Sequence, residues 1–238
     1  MEKRKELAGV LIRILVYVIV MRVFEDVNDG NNTQGWRMMI TAILLGLLLI
    51  GMAKENDYSR LGLTTKTAIP WKTVLFLLPM VVVASVNLWH GIDICFEVLD
   101  MVWYILSMIF IGFIEEILFR GYLLQLLLKK SVKVAIIVSS LTFGLGHVVN
   151  LLNGAEVVPT ILQLVYAICI GLMLSVFMVK VKHLLPCCFF HGMLNALAAF
   201  SNENGQTIGY QVTVCVAISV ISVAYAWLLW RRIKGGIT

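Results

Sequence analysis

Eight apolar stretches, each close to the length of a membrane-spanning helix, dominate the 238-residue sequence. A helix needs about 20 apolar residues to cross the hydrocarbon core of a bilayer. Because 60% of the residues are hydrophobic, 14% are charged and the mean hydropathy is +0.92, the composition excludes a water-soluble domain of this size. We therefore predict one all-α, polytopic membrane domain over residues 1–238, in which the second span is short and the fourth is long. The predicted spans are 7–24, 38–53, 72–90, 101–128, 133–150, 159–179, 184–200 and 208–230.

The charges of the connecting segments alternate in sign along the chain. MEKRKE at the start is basic, EDVNDGNNTQG after the first stretch is acidic, and the alternation continues to the basic RRIK near the end. Because cytoplasmic loops collect Lys and Arg, this pattern predicts eight transmembrane helices with the N and C termini in the cytoplasm. The net charge of +5 is then a topology signal with some affinity for membrane lipids, and it gives no support to nucleic-acid binding.

The segment EEILFR, residues 115–120, places three charged side chains inside the fourth apolar stretch. A charge at the centre of a bilayer costs at least about 2.5 kcal/mol, so each one needs a partner or a function. On a helix, Glu116 and Arg120 lie four residues apart on one face and can form an ion pair. Glu115 has no basic residue three or four positions away, so its partner has to come from another helix.

Two of the four histidines, His147 and His191, lie deep in the fifth and seventh apolar stretches. Asn195 follows His191 by four residues and shares its helical face. Counted at ~1.5 Å per residue from the nearest cytoplasmic lysines, Glu115, His147 and Asn195 lie at about the same depth, and His191 lies one turn nearer the cytosol. Three glycines flank these residues, as close helix approach requires: Gly144, Gly146 and Gly192. The convergence of Glu, His, His and Asn predicts one functional site.

Three sequence motifs in this region carry a family resemblance. EEILFRGYLL, SSLTFGLGHVVN and HGMLN resemble the signatures Glu-Glu-x-x-x-Arg, Phe-x-x-x-His and His-x-x-x-Asn of the CAAX-protease and bacteriocin-processing (CPBP, or Abi) family of intramembrane proteases. They occur in that order over a core of about residues 101–200, and the chain is similar in this to type II CAAX prenyl endopeptidases. HLLPCC before His191 departs from the tryptophan-containing turn of many relatives, although no signature position changes. The resemblance implies an eight-helix bundle with a cavity, open to the cytosol and the membrane, in which water is activated for peptide hydrolysis.

Hydrolysis of a peptide bond requires a base that activates water, polarisation of the carbonyl group and hydrogen-bond donors for the oxyanion. We expect Glu115 to be the base, because a carboxylate removed from water binds a proton more strongly. His147 would orient Glu115 or the water, while His191 and Asn195 would face the oxyanion. Glu116 and Arg120 are expected to support the site or position the substrate, and Phe143 is expected to pack under it.

The participation of a metal is left open by the residues. Glu115, His147 and His191 could bind zinc with water in the open position. However, H-E-x-x-H is absent, and the five cysteines include no C-x-x-C pair. The family itself has been described both as metalloproteases and as metal-independent glutamate proteases.

The composition and the resemblance together imply a multi-pass peptidase of the cell membrane, and the resemblance implies that it acts on membrane-associated peptides or lipidated protein tails. Two alternatives belong to other functional classes. A catalytically silent bacteriocin-immunity or binding protein of the same fold would need a defect in the site, and none is visible. A proton-coupled transporter with Glu115 and His147 as a relay would need a polar path to the outer face, where only Asn150 and Asn153 continue it.

Overall fold

The structure, a computed structural model, describes residues 2–27, 33–63, 77–152 and 154–232. Eight helices follow one another: α1 Glu2–Val27, α2 Thr33–Glu55, α3 Leu78–Leu88, α4 Val98–Leu128, α5 Val132–Leu152, α6 Val157–Val181, α7 Leu185–Phe200 and α8 Ile208–Arg232. Within these ranges the extended backbone forms no strand, and it pairs only in an isolated bridge between Ile92 and Ser201. The predicted all-α class is therefore confirmed.

Helix length and hydropathy test the predicted spans. Across the described ranges, 5 helices are long and apolar enough to cross a bilayer: α2 from Gln34, α4, α5, α6 and α8. Apolar helices α3 and α7 are shorter, and residues 72–76 of the third predicted span lie outside the described residues. The chain is a multi-pass membrane protein, whereas eight crossings and cytoplasmic termini stay predictions.

Two of the predictions on span length have clear outcomes. The long fourth span is confirmed, because α4 has 31 residues. The short second span is wrong, because α2 has 23 residues. Its helix continues through polar residues at both ends, where the backbone keeps its helical hydrogen bonds beyond the apolar stretch.

The chain divides into two compact units, of which the first comprises Met1–Asp29, Ile117–Val181 and Gln211–Thr238. In this unit α5 packs along α6. Gly144 permits that packing, because a Cβ added to it would lie 2.3 Å from Ile168 Cγ1. The close approach predicted at Gly144 is thus confirmed. The same prediction for Gly146 is wrong, because a Cβ there would meet nothing within 4 Å.

The second unit comprises Gly30–Glu116 and Lys182–Tyr210. In it α4 packs against both α2 and α7. The contact with α7 is a backbone contact at two glycines, where a Cβ on Gly112 would lie 2.4 Å from the amide nitrogen of Gly192. Small residues let helix backbones approach this closely in membranes. Residues three and four positions beyond Gly112 therefore lie directly against α7.

The middle of α4 departs from α-helical geometry. Its first part, Val98–Glu116, is α-helical, Ile117–Leu124 is π-helical, and the last turn is α-helical again. All eight residues of the π-helical segment are buried. Such segments are rare and are frequent at functional sites, and this one begins directly after the two glutamates of the first signature.

Candidate functional site

His191 of α7 lies between two adjacent carboxylates of α4 in the second unit. Its Nδ1 atom is 3.0 Å from Glu116 Oε1, and its Nε2 atom is 3.5 Å from Glu115 Oε2. Neighbouring residues of an α-helix point about 100° apart, so one ring reaches both carboxylates only when it lies directly against the helix. The contact between Gly112 and Gly192 provides that proximity. Glu115 thus meets a side chain of another helix, as its position requires.

Burial distinguishes the roles that the two carboxylates can take. The side chain of Glu116 has 0% of its surface exposed and that of His191 has 4%, whereas Glu115 retains 17%. The tautomer with its proton on Nδ1 donates that proton to Glu116 and leaves Nε2 facing Glu115. Buried charges require such partners. Of these three side chains, Glu115 is the one that water reaches most easily.

Asn195 lies one turn beyond His191 on α7, in the same unit. It is half-buried and belongs to the last α-helical turn, before the 3₁₀ turn Leu197–Phe200. The carbonyl of Leu194, its neighbour, accepts a hydrogen bond of 2.7 Å from Asn87 Nδ2 of α3. Asn87 is a positioning contact that the sequence reasoning missed. The sequence feature that could have revealed this contact is the side-chain amide of Asn87 inside an apolar stretch, because such an amide needs a hydrogen-bond partner in a membrane.

The first unit brings together the other predicted residues. The fully buried guanidinium of Arg120 lies over the Phe143 ring, with Cζ 4.2 Å from the ring centroid. His147 Nδ1 is 3.2 Å from the carbonyl oxygen of Phe143, and the two rings pack edge to face at 5.4 Å. The cation–π contact stabilises the buried charge of Arg120. Phe143 therefore joins Arg120 to His147, and its packing under the catalytic residues stays a prediction.

The predicted site residues are thus distributed over both units. Glu115, Glu116, His191 and Asn195 belong to the second unit, and Arg120, Phe143 and His147 belong to the first. The ion pair between Glu116 and Arg120, and the action of His147 on Glu115 or water, stay predictions.

The donor set was tested for a metal site. Among the residues that the structure describes, no group of three His, Cys, Asp or Glu side chains could hold a metal ion. The zinc site that the sequence allowed, from Glu115, His147 and His191, stays a prediction.

A known protein family matches the region of the chain that contains the predicted site residues of both units. Residues 97–197 match the family model described as type II CAAX prenyl endopeptidase Rce1-like. The matched range contains all three sequence signatures, from Glu115 to Asn195. Comparison with curated proteins gives no match.

Proposed function

Because residues 97–197 belong to the CPBP (CAAX protease) family, as their signatures predict, we propose that this multi-pass membrane protein is an intramembrane endopeptidase. It hydrolyses peptide bonds of membrane-associated peptides or lipidated protein tails, with water activated by Glu115. The observation that supports this most is the position of His191 between Glu115 and Glu116.

Glu115 is the general base in this proposal. It takes a proton from a water molecule, and the oxygen of that water attacks the carbonyl carbon of the scissile bond. Glu115 then returns the proton to the leaving nitrogen as the carbon–nitrogen bond breaks. Its partial exposure, with Nε2 of His191 at 3.5 Å, suits a carboxylate that must meet water and still be held in place.

His191 and Glu116 orient the base. Nδ1 of His191 donates to Glu116, and the buried carboxylate stabilises positive charge on the ring whenever Nε2 carries a proton. The contacts of His191 favour this orienting role over the oxyanion-binding role expected from the sequence.

Donors for the oxyanion come from the remaining signature residues. Asn195, one turn from His191, offers its side-chain amide. His147 offers its imidazole to the water or the oxyanion, a role that rests on the Phe-x-x-x-His signature. Arg120 stacks on Phe143 and so stabilises the segment that carries His147.

Cleavage of quenched fluorescent peptides, including lipidated ones, by protein in lipid nanodiscs tests the proposal. Glu115→Gln keeps the size of the side chain and removes the base, so we expect a rate loss of about 10²-fold or more. Glu97→Gln, which changes an exposed glutamate just before α4, is the matched control and should keep the wild-type rate.

A chelator in a parallel reaction separates the two catalytic types. A glutamate-type mechanism predicts an unchanged rate, whereas loss with the chelator and recovery with zinc would establish a metalloprotease. If wild type and both variants are equally inactive on every peptide, the silent binding or immunity function replaces the proposal.

A further inference from the structure

An apolar groove separates α3 from the first turns of α7 in the second unit. Its volume is about 430 Å³, which lies in the range of small-molecule sites. Met80 and Ala84, at 2% and 1% exposure, form its floor, and the exposed side chains of Val81 and Phe189 form its rim. A concave apolar surface of this size takes an apolar ligand.

The length of the groove matches one leaflet of a bilayer. Along α7 it extends from Leu185 to Met193. At ~1.5 Å per residue that distance is about 12 Å, and a leaflet contributes about 15 Å of hydrocarbon, half of the usual core. The groove therefore accommodates one extended chain that lies parallel to the lipid tails.

Two basic residues lie at one end of the groove. His183 lines that end, and the exposed Lys182 precedes it. The backbone hydrogen bond from Leu184 N to Gly62 O brings the loop after α2 next to this end of the groove. The acidic residue of that loop, Asp57, is paired with Arg60. Of the described residues that line the groove, none is acidic. An apolar slot with a basic end is complementary to a lipid with an anionic headgroup.

We propose that the groove binds one acyl chain of an anionic glycerophospholipid from the leaflet on the Lys182 side. The phosphate of this lipid lies at Lys182 and His183, and the chain extends along α7 past Phe190. The proposal does not depend on proteolysis, because the groove uses Phe189, Phe190 and Met193, whereas His191 faces the glutamates of α4.

Native mass spectrometry of the full chain in detergent measures the binding, with phosphatidylglycerol and phosphatidylcholine of identical acyl chains as probes. Wild type should bind one phosphatidylglycerol roughly tenfold more tightly than phosphatidylcholine. Ala84→Phe fills the floor and should abolish binding of both lipids. The double variant Lys182→Gln/His183→Gln should remove the preference for phosphatidylglycerol and leave the binding of phosphatidylcholine unchanged.

Two control variants belong to the first unit. Val220→Phe also introduces a phenylalanine, at an exposed apolar position of α8, and Lys130→Gln removes an exposed charge. Neither should change lipid binding. If Ala84→Phe does not fold, Val81→Trp blocks the groove from its half-exposed rim and is measured instead.

Three results would overturn the proposal. The first is equal binding of the two lipids to wild type. The second is lipid binding that survives the groove-filling variant. The third is preference for a lipidated peptide over phosphatidylglycerol, which would make the groove a substrate subsite.

Discussion

The contact between Gly112 and Gly192 determines how closely α4 and α7 can approach, and Gly112→Ala tests its importance. An added Cβ would lie 2.4 Å from the amide nitrogen of Gly192, and ordinary contact begins at 3.4 Å, so the helices must separate by about 1 Å. The 3.0 Å contact between His191 and Glu116 would then lengthen to about 4 Å, beyond hydrogen-bond distance.

Two effects of this separation can be measured. Overpacking costs about 1–3 kcal/mol, so the thermal unfolding midpoint should fall. Misplacement of catalytic groups by about 1 Å costs about 10²-fold in rate, so kcat of peptide cleavage should fall by that factor in the protein that remains folded. Steady-state kinetics and a thermal melt in the same lipid nanodiscs give both quantities.

Gly51→Ala is the matched control, because Gly51 is also helical, belongs to the same unit and has nothing within 4 Å of an added Cβ. It should leave kcat unchanged and stabilise α2 slightly. Wild-type kcat and an unchanged melting midpoint in Gly112→Ala would refute the reasoning, because the helices would then not need this contact to align the site.

Three further predictions concern single contacts. Glu116→Gln should lower kcat by about tenfold or more and leave KM unchanged, because the buried carboxylate holds the imidazole ring through a charge-assisted hydrogen bond. Asp93→Asn should speed maleimide modification of Cys95 at fixed pH, because Asp93 raises the pKa of this exposed thiol, first by a hydrogen bond and then by its charge. Phe143→Leu should lower the stability of the fold by about 0.5–2 kcal/mol through loss of the contact with Arg120, measured by thermal unfolding.

Each of these predictions has its own contrary outcome. A change in KM alone for Glu116→Gln would assign the residue to substrate binding. An equal modification rate with and without Asp93, after subtraction of a Cys95→Ser blank, would mean that the carboxylate does not hold the thiol proton. A Phe143→Leu variant with the same thermal unfolding midpoint as the wild type would show that Arg120 is stabilised by other contacts.

Apolar length alone was sufficient to locate most helices. The fourth and eighth predicted spans, 101–128 and 208–230, correspond to Val98–Leu128 and Ile208–Arg232. Helix ends were less predictable, because a membrane helix can continue into polar residues once its apolar stretch is complete. The same effect explains why α2 is longer than expected.

The geometry of the site could be predicted only in part. The lack of a basic residue three or four positions from Glu115 correctly indicated a partner from another helix, because neighbours on a helix face are set by residue spacing alone. It could not identify that partner, since the choice depends on where two helices cross. The crossing lies at Gly112, which carries no signature, whereas the more conspicuous Gly146 makes no close contact.

Two other structural features could not be predicted from the hydrophobic pattern of the sequence. The π-helical segment Ile117–Leu124 is apolar apart from Arg120 and Tyr122 and buried throughout, so its hydropathy is the same as that of an α-helix in this place. Asn87 was visible as an amide in an apolar stretch, but its acceptor is a backbone carbonyl of α7, and any residue type supplies a carbonyl. Contacts of this kind depend on the fold and not on residue identity.

The central claim, that Glu115 activates water for peptide hydrolysis, is tested most directly by the masses of the products formed in water labelled with heavy oxygen. The account predicts that wild type cleaves the peptide and places one heavy oxygen in the new carboxylate, while Glu115→Gln forms this product at least about 10²-fold more slowly. Product formation by Glu115→Gln at the wild-type rate would contradict it.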